Sequence, residues 1–573
     1  MSNETTENPG GKQAAPAVEE KVKQPAKRSA AAKKTAETKS AAGARTAAKK
    51  DEVKTKAAKA TAGAKAEAKK PAKQSAPAKG SSAEKAVTAK TARASAGKSS
   101  QRKVLFAVSE VAPFISTGGM GQVVSSLPMT LHNITDQLEV RVIAPYYQQI
   151  RNQFGSGMTF LGNMEVPLAW RRQYCGVFTA ERDGVTYYFL DNEHYFNREE
   201  CYGSFDDGER FAFFSKAVLS VFDLIDYTPD VIHTHDWQTA LIPIYLKTTF
   251  ADKYPKMKSV FTIHNIEYQG QFPLNALWDV FDLRESDYSV VEYQSCINLV
   301  KGAIVSCDKI TTVSPSYAEE IKQYGGYGLE PVLLMHEDKL VGILNGIDTE
   351  LYNPETDPTL AKTYSADTLE NKAANKRDLQ TLFGLPVAPR APVLCMVSRL
   401  VSHKGLDLLL SIMEDLISDG VQFYLLGTGD YRYELFFNEM AIRHPNHVAV
   451  NIAYNPAIVN KIYAGADIML MPSLSEPCGL SQMIACRYAT VPVARATGGI
   501  KDTIRDCRSG DGNGYLFTEY DAGEFLSAIR AAIHQYTYYE NDWMNLMREG
   551  MRTDFRWDLS AKAYAAIYTG LCS

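Results

Sequence analysis

From residue 103 onward, apolar runs of four to eight residues recur along the chain, closed by glycine or polar residues and spaced by segments of helical length. Lys103 to Glu110 is the first, and further runs lie at Val140 to Ala144, Tyr187 to Leu190, Val231 to His235, Val260 to His264 and Ile310 to Val313. Arg210 to Leu224 is one of the intervening helix-length segments. Short apolar runs that alternate with helices predict a mostly parallel sheet covered by helices on both faces. The pattern lapses in a bridge rich in proline and charge around Pro354 to Pro392. It then restarts at Val393 to Ser398 and continues through Phe423 to Leu426, Val448 to Ile452, Ile468 to Met471 and Val491 to Ala494. The body is therefore α/β and built as two βα halves.

Composition separates a third region. Residues 1–100 contain no Phe, Trp, Tyr or Cys, and they carry 23 Lys and Arg against 9 Asp and Glu, a net of +14. Such a segment buries too little apolar surface to offset its ordering entropy, which predicts a disordered tail. With −4 on the whole chain, the remaining residues carry −18. A basic tail on an acidic body suggests non-specific contact with a polyanion, set against a plain solvated spacer. No apolar run reaches the length of a membrane span, and the N-terminus lacks a secretory apolar core. Nine scattered cysteines without a Cys-x-x-Cys fit a reducing compartment, so a soluble cytoplasmic protein is expected. The 473 residues after the tail exceed one core, which again predicts two domains.

The loops after these strands carry the chemistry. Pro472-Ser-Leu-Ser-Glu-Pro-Cys-Gly-Leu480 follows the run Ile468 to Met471, which puts Glu476 at a strand's carboxyl end, where open α/β sheets hold ligands. Pro477 suits a first helical turn, and the amides of Cys478, Gly479 and Leu480 would then face an anion. Arg399 and Lys404, in Val397-Ser-Arg-Leu-Val-Ser-His-Lys-Gly405, supply two cations suited to a diphosphate. Gly427 permits close backbone approach from the same half. No Asp-x-Asp occurs, so these cations rather than a metal ion are expected to neutralise the leaving phosphates. Thr-Gly-Gly appears in both halves, at Thr117-Gly118-Gly119 and Thr497-Gly498-Gly499, suggesting two loops that face a shared cleft. His233-Thr-His235-Asp236 and Thr262-Ile-His264-Asn265 end two strands. A His-x-His pair shares one strand face, which leaves a metal-dependent hydrolase as a rival reading, although further ligands at tight spacing are missing.

Taken in order, several stretches resemble the bacterial glycogen synthase and plant-type starch synthase family. They are Ser116-Thr-Gly-Gly-Met-Gly121, His235-Asp-Trp-Gln238, Thr262 to Gly270, Thr312 to Tyr317, Leu344-Asn-Gly-Ile-Asp348, Ser398 to Asp407, Glu476-Pro-Cys-Gly-Leu480 and Thr497-Gly-Gly-Ile500. The resemblance runs from about Lys103 to the C-terminus. It implies a GT-B fold, two Rossmann-like domains facing a deep cleft. It also implies retaining transfer of glucose from a nucleotide diphosphoglucose, usually ADP-glucose, to the non-reducing end of an α-1,4-glucan. No covalent nucleophile stands out, and the family's favoured route is departure and return on one face of the sugar. Carried over by position, Arg399 and Lys404 bind the diphosphate and Glu476 contacts the donor sugar. Asp236, His264 and Asn345 line the glucose site, while Tyr454 stacks on the base.

The expected organisation is a tail over 1–102, an acceptor-side domain over 103–350 and a donor-side domain over 351–555. A closing helix over 556–573 would cross back to the first domain. The candidate catalytic residues are Arg399, Lys404, Glu476, His264 and Asp236. The candidate donor-binding residues are Ser116, Gly118, Gly119, Asn345, Gly427, Tyr454, Cys478, Gly479, Leu480, Thr497 and Gly498. No metal or other cofactor is expected, and the partners are the glucan and the sugar nucleotide. Two positions depart from the family pattern: Ser116 stands where a lysine is usual and Gln122 where an aspartate is usual. The departure leaves ADP-glucose and UDP-glucose both open as donor, and keeps another sugar-nucleotide transferase or a weakly active glucan-binding protein as alternatives.

Overall fold

The structure, a computed structural model, describes residues 101–573 except residue 454. The expected tail therefore lies outside the described residues but for its last two positions, and so does the proposed base-stacking Tyr454.

Two sheets carry the body. The first has nine strands, in the order Leu340–Gly342, Lys309–Thr312, Lys258–Ile263, Val231–His235, Arg102–Ala107, Leu138–Pro145, Val185–Asp191, Arg171–Arg182 and Thr159–Leu168. The first seven run parallel, and the last two are added antiparallel at one edge. The central strand shows why the parallel part forms. Val104, Leu105, Phe106 and Ala107 are fully buried on both faces, which only a sheet covered by helices on each side allows. The edge hairpin Thr159 to Arg182 was not legible as strands. Its outer strand is largely exposed, is broken by a register shift between Phe160 and Gly162 and contains Pro167, so no clean alternation survives.

The second sheet is wholly parallel, in the order Val448–Asn451, Gln422–Leu426, Val393–Val397, Ile468–Met471, Val491–Arg495 and Tyr515–Phe517. The bridge expected around Pro354 to Pro392 is part of this half. Its helix Lys372–Leu382 packs on helix Pro456–Gly465, and part of the bridge's charge is buried. The Lys372 ammonium donates to the carbonyls of Tyr463, Ala464 and Tyr488 and to the Thr490 hydroxyl, and burial pulls its pKa down to about 7. Lys376 pairs with Asp467 at 2.6 Å. Buried ammonium groups are tolerable only with such partners.

The chain passes between the sheets twice, and the two crossings touch. Ile347 N–H donates to the Phe555 carbonyl at 2.8 Å, and a Cβ on Gly346 would stand 2.7 Å from Trp557 N. Beyond this point helix Asp558–Leu571 packs against helix Gly119–Ile134 and strand Arg102–Ala107 of the first sheet. Tyr568 of that helix reaches His233 at 2.8 Å. No helix among the described residues is long and apolar enough to cross a membrane.

Candidate active site

The carboxyl ends of the two sheets bring most of the sequence candidates together. Lys404 ends a short 3-10 turn and is followed by Gly405 at φ 73°, where a Cβ would stand 1.9 Å from the Pro472 carbonyl. Only glycine fits this contact, which presses the Lys404 turn onto the chain entering the Glu476 loop. Lys404 Nζ consequently meets Glu476 Oε2 at 2.7 Å, and Ser473 Oγ donates to the same oxygen at 2.9 Å. Burial would push the Glu476 carboxyl up, but Lys404, Ser473 and His403 hold it below its ordinary value. Arg399 is exposed, and its guanidinium makes no hydrogen bond or ion pair among the described residues. Gly427 lies against Ser398, where a Cβ would stand 1.9 Å from the carbonyl; its role is to seat the Arg399 loop.

The loop after Glu476 departs from expectation in one respect. The helix begins at Ser481, so Pro477 lies before the first helical turn, and Gly479 takes φ 74°. Cys478 is buried, and its thiol packs beside Asn345, whose Oδ1 has no partner among the described residues.

From the first sheet, Asp236 follows strand Val231–His235 at φ 54°, a left-handed conformation that aspartate tolerates better than most residues. Its carboxylate accepts the amides of His264 at 2.7 Å and Asn265 at 3.4 Å, while burial pushes its pKa up to about 7. His264 Nε2 stands 3.0 Å from His235 Nδ1, and burial pulls the His264 pKa down to about 3. These imidazoles are neutral at physiological pH. His233 uses both ring nitrogens, on Tyr568 and on Thr262 at 2.6 Å, which leaves it none for a metal.

The two Thr-Gly-Gly loops part company. Thr117, Gly118 and Gly119 are exposed, and a Cβ on Gly119 would lie 3.6 Å from Leu480 of the second half. This loop thus lies beside the loop that follows Glu476. Thr497 and Gly498 are instead buried, and the expectation that they face a ligand is corrected. Gly498 N–H donates to Glu320 of the first half at 3.0 Å, and Thr497 Oγ1 to the same carboxylate at 3.2 Å.

Sequence reasoning missed three groups here. Glu110, at the end of the first apolar run, holds the exposed glycine loop by accepting Thr117 N–H at 2.6 Å and Gly121 N–H at 3.1 Å. Burial raises its pKa, and Arg399 of the second half is among the groups that pull it back. Glu267 reaches His403 at 3.6 Å, and Glu320 is the third. For Glu110 the signal was present, a carboxylate ending a strand beside a glycine loop.

Residues 103–335 match the family model described as starch synthase catalytic domain, and residues 382–545 that described as glycosyl transferases group 1. The chain is 46% identical over 476 residues to a glycogen synthase of Geobacillus thermodenitrificans, spanning 82% of this chain and 98% of that protein. A Bacillus cereus glycogen synthase is 44% identical over 475 residues, spanning 82% and 99%. The chain belongs to the glycogen and starch synthase family. Among solved structures, the catalytic domain of starch synthase IV from Arabidopsis thaliana, bound to ADP and acarbose, superposes with a TM-score of 0.77 at 33% identity, covering 83% of this chain and all of that one. A sucrose-phosphate synthase from Thermosynechococcus elongatus, at 16% identity and TM-score 0.53, shares the fold. The fold is thus GT-B and the activity that of a hexosyltransferase acting as a glycogen or starch synthase. The metal-dependent hydrolase reading falls with this assignment.

Proposed function

We propose that this synthase takes glucose from ADP-glucose and adds it, with retention of configuration, to the non-reducing end of an α-1,4-glucan without a metal ion. The observation that carries the reading is the Lys404–Glu476 pair beside the unpartnered Arg399. Two cations preorganised at one loop stabilise the charge that develops on a departing diphosphate, and a pair of this kind requires no divalent ion. Glu476 is kept ionised by Lys404, which suits a carboxylate that accepts hydroxyls of the donor sugar. Asp236, His264 and Asn345 complete the sugar's surroundings from the first sheet. The starch synthase IV relative that carries ADP supports adenine as the base.

The Ser116 position gives UDP-glucose its place as second reading. Neither Lys301 nor Arg210 is free to replace the usual lysine: Lys301 Nζ is held by the Ser289 and Val290 carbonyls, and Arg210 is buried beside Asp207. A coupled assay with glycogen primer and each donor in parallel, with and without EDTA, decides among these. ADP-glucose turnover should exceed UDP-glucose turnover and survive chelation. No turnover with either donor would remove the reading, and metal-dependent turnover would remove its mechanism. We also place the protein in the cytoplasm, in keeping with nine unpaired cysteines, and read the basic tail as a polyanion contact.

A further inference from the structure

Helix Pro315–Gln323 belongs to the first half, yet it touches both sides of the site. Its N-cap, Ser314, accepts Tyr317 N–H and donates its own hydroxyl to the Pro477 carbonyl at 2.6 Å, one residue past Glu476. Tyr317 OH accepts Ile266 N–H at 3.2 Å, two residues past His264. Farther along, Glu320 is buried and fully engaged. It takes Gly498 N–H on both carboxylate oxygens, the Thr497 hydroxyl, and Lys501 Nζ at 2.8 Å. Ser316, on the exposed side of the same contact, bonds Asp502 through backbone and hydroxyl at 2.9 and 2.8 Å.

What Glu320 grips is the back of the Glu476 loop. Gly498 takes φ 44°, and a Cβ there would stand 2.1 Å from the Glu476 carbonyl. Gly499 N–H donates to the carbonyls of Glu476 at 3.1 Å and Pro477 at 3.2 Å, and a Cβ on Gly499 would strike Cys478. The path from Glu320 to Glu476 thus runs through two consecutive glycines without a flexible side chain between. The carboxylate also fills the amide that the sequence pattern offered to a ligand, which explains why that Thr-Gly-Gly is closed.

We propose that Glu320 is a positioning residue for the transfer reaction. It fixes the Glu476–Cys478 loop of the second half against the helix that also braces the His264 loop of the first, and so sets the spacing between the two sides of the sugar site. This rests on the reading of Glu476 as the donor-sugar carboxylate. The contact tolerates no equivalent substitution by size alone, because both oxygens and the charge toward Lys501 are used.

Glu320→Ala, Glu320→Gln, Ser316→Ala and Glu476→Gln, made in the full chain, test it with donor and glycogen varied separately. A misplacement near 1 Å at a reacting centre costs up to about 100-fold. Glu320→Ala should raise donor KM and lower kcat, each about tenfold, with glycogen KM unchanged. Glu320→Gln keeps an oxygen for Gly498 N–H and should recover part of both, while Ser316→Ala should leave donor KM at the wild-type value. A merely structural role would lower the active fraction without moving donor KM; that result in Glu320→Ala, or an unchanged donor KM in folded Glu320→Gln should the alanine variant not fold, would overturn the proposal. Full activity in Glu476→Gln would instead remove the underlying reading of Glu476.

Discussion

Lys404→Ala separates chemistry from stability at the site. In the folded protein Lys404 and Glu476 have side chains only 16% and 9% exposed, 2.7 Å apart. Truncating the lysine leaves Glu476 buried with Ser473 as its remaining close donor. Breaking a buried pair on one side costs about 3–5 kcal/mol, and partial access of water to Lys404 brings this toward about 2–3 kcal/mol. The variant should therefore melt several degrees lower and lose about 100-fold or more in kcat/KM. Arg399→Ala should lose activity on the same scale with its melting temperature unmoved, because Arg399 is exposed and holds nothing in the fold.

The pH dependence of the gap carries the sharper check. In the wild type the Glu476 carboxyl titrates below its ordinary 4.5, so the pair's stabilisation is present above that pH and is lost as pH falls through the folded value. Without Lys404, burial dominates and the carboxyl titrates above 4.5, so the variant gains relative stability as it is protonated. The melting gap between the two proteins should be full near neutral pH and should narrow steadily below about 5. Thermal melts from pH 4 to 8, paired with the coupled synthase assay, read both effects. A gap that stays constant with pH, or a variant that keeps wild-type turnover, would refute the reasoning.

Further outcomes follow from other parts of the site. Ser116→Lys adds a cation to the exposed glycine loop and should tighten donor KM several-fold, an effect that weakens with salt, since a screened pair contributes on the order of 1 kcal/mol; no change in either donor's kinetics would mean the loop does not approach the phosphates. Asp236 titrates near 7, above its ordinary 3.8, so the fold prefers its neutral form and wild-type stability relative to Asp236→Asn should fall as pH rises from about 4 to about 7 and then level off in thermal melts. Deleting residues 1–100 should leave turnover on a short maltooligosaccharide unchanged and abolish salt-sensitive retention on an immobilised polyanion; retention that survives the deletion would place the contact on the body.

The strands that position the site were legible because each is a short apolar run buried on both faces. Val231 to His235 and Ile468 to Met471 begin and end where the sequence placed them. In the loops, Lys404 and Glu476 were legible as charged residues at strand ends, and the structure pairs them. What escaped was partnership across the chain. Glu320 lies 178 residues from the glycine it holds, and nothing in the local pattern distinguishes it from its exposed helix neighbour Glu319. Lys372 escaped for the same reason: the carbonyls that make its burial tolerable come from residues 91 to 116 positions away.

The two Thr-Gly-Gly stretches show how far one tripeptide underdetermines its use. Gly118 is extended, and a Cβ there would meet nothing within 4 Å; Gly498 is left-handed and has the Glu476 carbonyl 2.1 Å from where its Cβ would be. The first glycine leaves open space beside an exposed loop, while the second is consumed by packing inside the protein. Gly118→Ala should consequently fold and melt like the wild type, and if donor phosphates come to that space it should raise donor KM alone. Gly498→Ala must displace the Glu476 loop to fold at all, so it should lose stability and activity together. Were Gly118→Ala to keep wild-type kinetics, the exposed loop would be idle in donor binding. The cations of the second half would then carry the diphosphate unaided, and Ser116 would need no explanation.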